Sequence, residues 1–229
     1  GPRCCRWAST QEMSFERPVE TAVIEGKEPL VELTIELERL GLNRGTSGNC
    51  SIRSSKGFFV TPSGIPTADL TADSIVEMDL EGNVLSAGNP SSEWRFHKDI
   101  LKTYSWANVV IHTHSDYATA FSCFREDMPA FHYMIAVAGG DSIKCSPYAL
   151  FGSQDLSDNV LEALRGRRAC LMSNHGMIAV GETPAKALAL SIELETLCKQ
   201  YLVARQVREP ILLSKTEMRE VLQNFKSYG

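Results

Sequence analysis

The chain contains no Cys-x-x-Cys pair, no Walker-type GxxxxGK[ST] loop, no internal repeat and no low-complexity tract. Its seven cysteines, at positions 4, 5, 50, 123, 145, 170 and 198, are odd in number and lack metal-ligand spacing. They indicate neither a disulfide framework nor a cysteine zinc site, and read as reduced thiols packed like small apolar residues. No apolar run approaches the roughly 18 residues that cross a bilayer, and the start lacks the basic-then-apolar pattern of a secretory leader. Excess positive charge is missing too: 23 Lys and Arg face 28 Asp and Glu, a net charge of −5. A general binder of nucleic acid or of anionic membranes would carry a basic face. The expectation is a cytoplasmic protein whose partners include neither nucleic acid nor membrane.

What is present is globular. Hydrophobic residues make up 43 % of 229 positions and charged residues 22 %, a composition that suits one folded domain. Gly1-Pro2 resembles a protease-cleavage scar and Met13 a native start, so residues 1–12 are expected to be a tag remnant and 13–229 the domain. Leu30, Leu33, Leu37 and Leu40 fall at helical spacing before Gly41. Cys50 to Arg53 and Phe58 to Thr61 read as a strand pair, and Ile75 to Leu80 with Val84-Leu85 as a hairpin. A helix is expected from Ser91-Ser92-Glu93 to about Tyr104, with hydroxyls at its cap. The strand Val109 to His112 leads to a helix capped by Ser115 or Asp116 and reaching about Phe124. Ala169 to Met172 and Met177 to Val180 are β-like, and helices follow over Pro184 to Val207 and Lys215 to Phe225. Helices and early hairpins without βαβ alternation point to an α/β domain with a largely antiparallel or mixed sheet.

Only five histidines occur, and two form His112-Thr113-His114 at the end of an apolar strand. With a side-chain period of two, both imidazoles project to one side, where two rings can hold one metal ion. A lone HxH pair is also common by chance. His175, in Asn174-His175-Gly176 between two β segments, is a third candidate, its neighbouring glycine permitting a sharp backbone path. Three histidines leave the fourth position of a catalytic zinc open. Glu93 at a helix start could join them or merely complement the helix dipole. Three small-polar turns accompany these residues: Gly45 to Asn49, Thr61 to Gly64 and Pro90 to Ser92. Their hydroxyls and backbone N–H groups could cradle a phosphate, or they are ordinary turns. Asn49-Cys50-Ser51 matches a glycosylation sequon, which is discounted without a secretory route.

Read together, GLNRGTSGNCSIR, FFVTPSGIP, PSSEWRFH, VVIHTHSDYATA, PAFHYMIAVAGGDSI, YALFG, NHGMIAVG and FKSYG make residues 30–229 resemble the class II zinc-dependent aldolases of the L-fuculose-1-phosphate aldolase type, in the aldolase II/adducin head family. The resemblance departs at no metal position. It implies a three-layer α/β/α domain and one Zn2+ per subunit held by His112, His114 and His175. Glu93 would ligate the resting metal and act as acid/base. Thr46, Gly48, Asn49, Ser63, Gly64, Ser91 and Ser92 match the substrate-phosphate cradle. Tyr133 matches a tyrosine that donates a proton in the neighbouring subunit's site, and Phe151 and Tyr228 lie near the aldehyde end. His97, one helical turn beyond Glu93, is read as a non-ligand that orients Glu93 or packs; His132 is also a non-ligand.

The resemblance also implies a C4 homotetramer with sites at subunit interfaces. Its substrate would be a phosphorylated ketose, L-fuculose 1-phosphate or a 5-deoxy- or 5-methylthio-ribulose 1-phosphate, cleaved to dihydroxyacetone phosphate and an aldehyde. Dehydratases acting on methylthioribulose 1-phosphate and sugar-phosphate 4-epimerases share the pattern, the epimerases with Asp in place of Glu93. A metal-free, adducin-like interaction module is the remaining alternative, and such modules have lost the ligands present here.

Overall fold

Seven short strands build one sheet whose face carries the chemistry: β1 Asn49–Arg53, β2 Phe58–Val60, β3 Val76–Met78, β4 Val109–Thr113, β5 Lys144–Ser146, β6 Ala169–Met172 and β7 Gly176–Gly181. Their order is β3-β2-β1-β4-β7-β6-β5. Every pairing is antiparallel except β5 with β6, which is parallel. The computed structural model describes Ile24 and residues 26–226. The segment 1–12 and Tyr228 lie outside the described residues.

Alternation along the strands sorts the core into two layers. Val110 of β4, Cys170 and Met172 of β6, and Ile178 and Val180 of β7 face helices α2 (Trp94–Thr103) and α4 (Gln154–Ala163), meeting Phe96, Ile100, Leu156 and Val160. On the opposite face, Ala169, Leu171 and Met177 pack under α3 (Asp116–Ser122), α5 (Pro184–Arg205) and α6 (Lys215–Lys226). Cys50, Ile52, Val109 and Ile111 on that face receive Leu30, Leu33 and Leu37 of α1 (Glu28–Arg39). The sheet is thus covered on both sides, as the expected α/β/α layering requires. Three-residue strands such as β2, β3 and β5 have too few ladder bonds to persist alone. Burial of large apolar side chains on both faces, at about 1.5–3 kcal/mol each, is what fixes them.

Four local expectations are corrected. The segments β5 and α4, and a 3₁₀ turn at Tyr133–Ala138, have no counterpart in the sequence reading. Val84-Leu85 is not a strand: Val84 makes one isolated bridge to Met78, and both side chains are exposed, so no apolar face holds them to the sheet. The helix after Glu93 starts at Trp94, one residue inside the expected opening. Ser115 sits at the cap of α3 without a side-chain capping bond. The carboxylate of Glu195 on α5 accepts from the N–H groups of Tyr117 and Ala118 at 2.9 and 2.8 Å instead.

Candidate active site

Antiparallel pairing puts Asn49 of β1 opposite His112 of β4. Both side chains therefore stand on the same face, toward the start of α2. His112 is completely buried, and its Nδ1 lies 2.9 Å from the Met177 carbonyl oxygen on β7. That carbonyl can only accept, so Nδ1 carries the proton and the Nε2 lone pair faces the site. His114, two residues on, brings its Nε2 to 3.0 Å from Nε2 of His112, as period-two projection requires.

His175 arrives from the turn between β6 and β7. Its N–H donates to the Met172 carbonyl at 3.0 Å, and α3 holds the turn through Asn174 N–H to Ser122 O at 3.1 Å. The sharp path comes from Asn174, whose φ is +53°, and not from Gly176. Gly176 answers a different need, since a Cβ there would overlap the Thr113 carbonyl of the adjacent strand.

Glu93 completes the cluster. It occupies the cap position of α2 but makes no capping bond, so the reading of Glu93 as a helix-dipole residue alone does not hold. Its Oε2 lies 3.2 Å from His112 Nε2 and its Oε1 3.3 Å from His175 Nε2. One donor atom from each of Glu93, His112, His114 and His175 lies within 4.8 Å of the others. A tetrahedral shell with bonds of 2.0–2.1 Å separates its donors by about 3.3 Å, so the cluster has the dimensions of a metal site. Glu93 Oε1 is buried and has no hydrogen-bond partner among the described residues. A buried carboxylate oxygen left so is costly unless a cation faces it. Three imidazole nitrogens and a carboxylate thus fit a divalent metal ion.

The electrostatics agree. Burial alone would raise the Glu93 carboxyl, but His112, His175 and the Asn49 amide outweigh it and hold it well below the usual carboxylate range. Burial, then the neighbouring His112, push His114 and His175 down to about 4 against the opposing pull of Glu93. These two rings are neutral at pH 7, with lone pairs free for a metal.

A cavity of about 360 Å3 opens from this cluster. Glu93, His114 and His175 form one wall. Thr46, Gly48 and Asn49, then Ser63 and Gly64, then Ser91 and Ser92 line the same cavity. All seven cradle candidates therefore converge, although they come from three turns far apart in sequence. The 45–48 loop is shaped by Gly48, whose φ is +75° and whose Cβ would overlap the Asn43 side chain. Phe151 lines the mouth with Tyr148 and Ala149. Asn49 is buried and its amide nitrogen is committed to Glu93, so the sequon has no accessible acceptor.

Tyr133 is 52 % exposed and does not line this cavity. Its ring stacks on His132, whose Nδ1 accepts from Met134 N–H and caps the 3₁₀ turn. His97 is completely buried; its hydrogen-bonded route to Glu93 runs through Asn49. Ser47, of the Gly45 to Asn49 turn, also lines the cavity, as do Tyr148 and Asn174, to which the sequence assigns no role. Tyr148 lies only three residues before Phe151, and that proximity was the available signal. Ser51, the second partner of His97, gave no signal beyond its place in a strand.

Comparison with known proteins agrees with this geometry. Residues 28–202 match the family described as Class II Aldolase and Adducin N-terminal domain. A 5-methylthioribulose-1-phosphate/5-deoxyribulose-1-phosphate aldolase of Rhodospirillum rubrum is 46 % identical over 200 residues, spanning 87 % of this chain and 90 % of the relative. An L-fuculose phosphate aldolase of Escherichia coli K12 is 44 % identical over 201 residues, spanning 87 % and 94 %. A solved L-fuculose 1-phosphate aldolase superposes with a TM-score of 0.84 at 37 % identity, covering 87 % of this chain and 95 % of that one. With Glu93, His112, His114 and His175 brought together as one set of metal-directed donors beside this cavity, the chain belongs to the class II aldolase and adducin N-terminal domain family and is one of its aldolases, a carbon–carbon lyase.

Proposed function

We propose that this domain, residues 13–229, is a zinc enzyme that reversibly cleaves a ketose 1-phosphate into dihydroxyacetone phosphate and an aldehyde. The observation that carries the reading is that one cavity brings Glu93 and the histidine cluster together with the hydroxyls and backbone amides of three turns. Zinc held by His112, His114 and His175 would supply Lewis-acid stabilisation of the charge that develops during cleavage, replacing the electron sink of a Schiff-base lysine. The rest falls to the chain's own residues. Thr46, Gly48, Asn49, Ser63, Gly64, Ser91 and Ser92 bind the phosphate, and this remote binding fixes the reacting carbons beside Glu93. When C3–C4 breaks, its electron pair stays on C3 as an enediolate and the C4 hydroxyl, losing its proton, becomes the aldehyde. Glu93, ionised at rest, removes a proton from C3 in synthesis; on cleavage it first takes up a proton from solvent, which receives the one released by the C4 hydroxyl, and passes it to C3.

The proton on the C4 oxygen is assigned to Tyr133 of an adjacent copy, because this chain's own Tyr133 lies outside its cavity. That assignment requires the ring-shaped homotetramer. Phe151, Tyr148 and Ala149 at the mouth favour a methyl-ended or thioether-ended aldehyde, and Tyr228 of the C-terminal tail is assigned to the same end. The substrates named for the two relatives, L-fuculose 1-phosphate and the 5-deoxy- and 5-methylthio-ribulose 1-phosphates, all fit that description. No described helix is long and apolar enough to cross a membrane. The five described cysteines are free thiols, which supports a reducing, cytoplasmic setting.

Replacing Glu93 by Gln keeps the shape and removes the proton carrier. Turnover of the three ketose 1-phosphates, followed as dihydroxyacetone phosphate by a coupled reductase, should fall about 10²–10⁴-fold with zinc retained. Turnover near the native rate would remove Glu93 from the mechanism. Consumption of substrate without release of dihydroxyacetone phosphate would instead identify a dehydratase or an epimerase. Comparing kcat/KM across the three substrates assigns the aldehyde half.

A further inference from the structure

Behind Glu93 runs a buried polar chain centred on His97, for which the sequence leaves orienting Glu93 and mere packing both open. Asn49 Nδ2 donates to Glu93 Oε2 at 2.9 Å. The other end of the same amide, Oδ1, lies 2.6 Å from Nε2 of His97. Nδ1 of His97 lies 2.7 Å from Ser51 Oγ. His97 and Ser51 are completely buried and Asn49 nearly so. The arrangement follows from register: Asn49 and Ser51, two apart on β1, point to the same face, and His97 on α2 spans them from above.

The donors and acceptors fit in one way only. An amide oxygen cannot donate, so His97 Nε2 carries the ring proton. Nδ1 of the neutral ring then accepts, and the Ser51 hydroxyl donates to it. With Oδ1 held by His97, the amide nitrogen must face Glu93. A flipped amide would set its oxygen against the carboxylate, a repulsive buried contact that no change of the His97 tautomer relieves. We propose that His97 is a positioning residue for Glu93: through Asn49, which fixes its tautomer, and with Ser51 holding its other ring nitrogen, it locks the carboxylate in the orientation that proton transfer at the substrate requires. His97 itself never approaches the substrate, since it does not line the cavity.

This inference rests on Glu93 as the acid/base, and its test separates the two. A Gln at position 97 can present an amide N–H where Nε2 stood, whereas an Asn is too short to reach Asn49 and keeps only the Ser51 side. His97→Asn should lower kcat at least tenfold, with KM within about threefold and zinc content unchanged. His97→Gln should recover most of the lost kcat while melting within a few degrees of His97→Asn. Ser51→Ala, which touches neither Glu93 nor Asn49, should lower kcat by a smaller factor of about three to five, and it decides the matter where a residue-97 variant does not fold. Combined with Glu93→Gln, His97→Asn should cost no further activity, since nothing remains to position. Equal kcat in His97→Asn and the native enzyme, equal losses in His97→Asn and His97→Gln, or native kcat in Ser51→Ala would overturn the proposal. If Glu93→Gln alone retained native turnover, the acid/base reading would fall instead, whatever residue 97 does.

Discussion

At the residue scale the site is a balance of buried donors that must stay unprotonated. His114 and His175 are held at about 4, first by burial and then by His112, with Glu93 pulling the other way. His97 is pushed to about 3, again mainly by burial. In the unfolded chain the same three rings take up protons below about 6.5. Between 6.5 and about 4 the unfolded state therefore binds more protons than the native one, and stability falls as pH is lowered through that window. Glu93 acts in the same direction lower down, because its depressed carboxyl stabilises the fold only above the pKa of an unfolded glutamate. The metal-free protein, kept in chelator, should thus melt at a clearly lower temperature at pH 5 than at pH 7 by calorimetry. A melting point constant across that range would mean the rings are protonated in the native state. Adding a divalent metal ion, with zinc as the proposed one, at pH 7 should raise the melting temperature by mass action. Much of this cluster was legible in sequence: the HxH pair obeys strand period, and His175 stands between two apolar β segments. Of the chain Ser51–His97–Asn49–Glu93 only the nearness of His97 to Glu93 was legible, with orienting or packing both open; its links join residues 44 to 48 positions apart. No local pattern encodes such pairings.

At the scale of elements, the helices with a clear apolar stripe and the strands with clean alternation were the readable ones. Leu30, Leu33 and Leu37 are buried on α1, and Leu194, Leu197 and Tyr201 on α5. By contrast, β5 is three residues, Lys144, Cys145 and Ser146, with no apolar alternation, and it exists because β6 offers a parallel edge. The helix α4 was readable in principle: the Ser153 hydroxyl accepts from Leu156 N–H, and Leu156, Val160 and Ala163 fall on one buried face. The start of α3 was legible at Ser115, but the group that caps it was not, because it comes from α5. Glu195 accepts from two N–H groups of the first turn, where a negative charge also meets the helix dipole. Since α3 holds the turn that presents His175, this cap supports the site from a distance. Glu195→Ala should remove about 1 kcal/mol, equivalent to a melting temperature lower by about 2–4 °C for a domain of this size. Glu195→Gln, which can still accept, should lose less. An unchanged melting temperature in Glu195→Ala would show that water replaces the carboxylate without cost.

For the whole molecule, a net charge of −5 opposes long-range capture of an anionic substrate. No lysine or arginine lines the cavity among the described residues. Hydroxyls, backbone amides and the metal would have to supply the affinity at short range. One domain also does not supply every proposed group, because Tyr133 stands exposed outside the cavity that holds Glu93. If each site pairs Glu93 of one copy with Tyr133 of the next, two inactive variants complement each other. Chains carrying Glu93→Gln and chains carrying Tyr133→Phe are separately impaired. When equal amounts are dissociated and reassembled at random in a closed ring, a site is intact when its Glu93 comes from the second kind and its Tyr133 from the first. That combination arises in about one site in four. Activity near one quarter of the native level is therefore expected after reassembly, and no gain when the two preparations are mixed without dissociation. If the reassembled protein shows no more than the summed activity of the parents, the sites are not shared, and the proton on the C4 oxygen must be handled within a single chain.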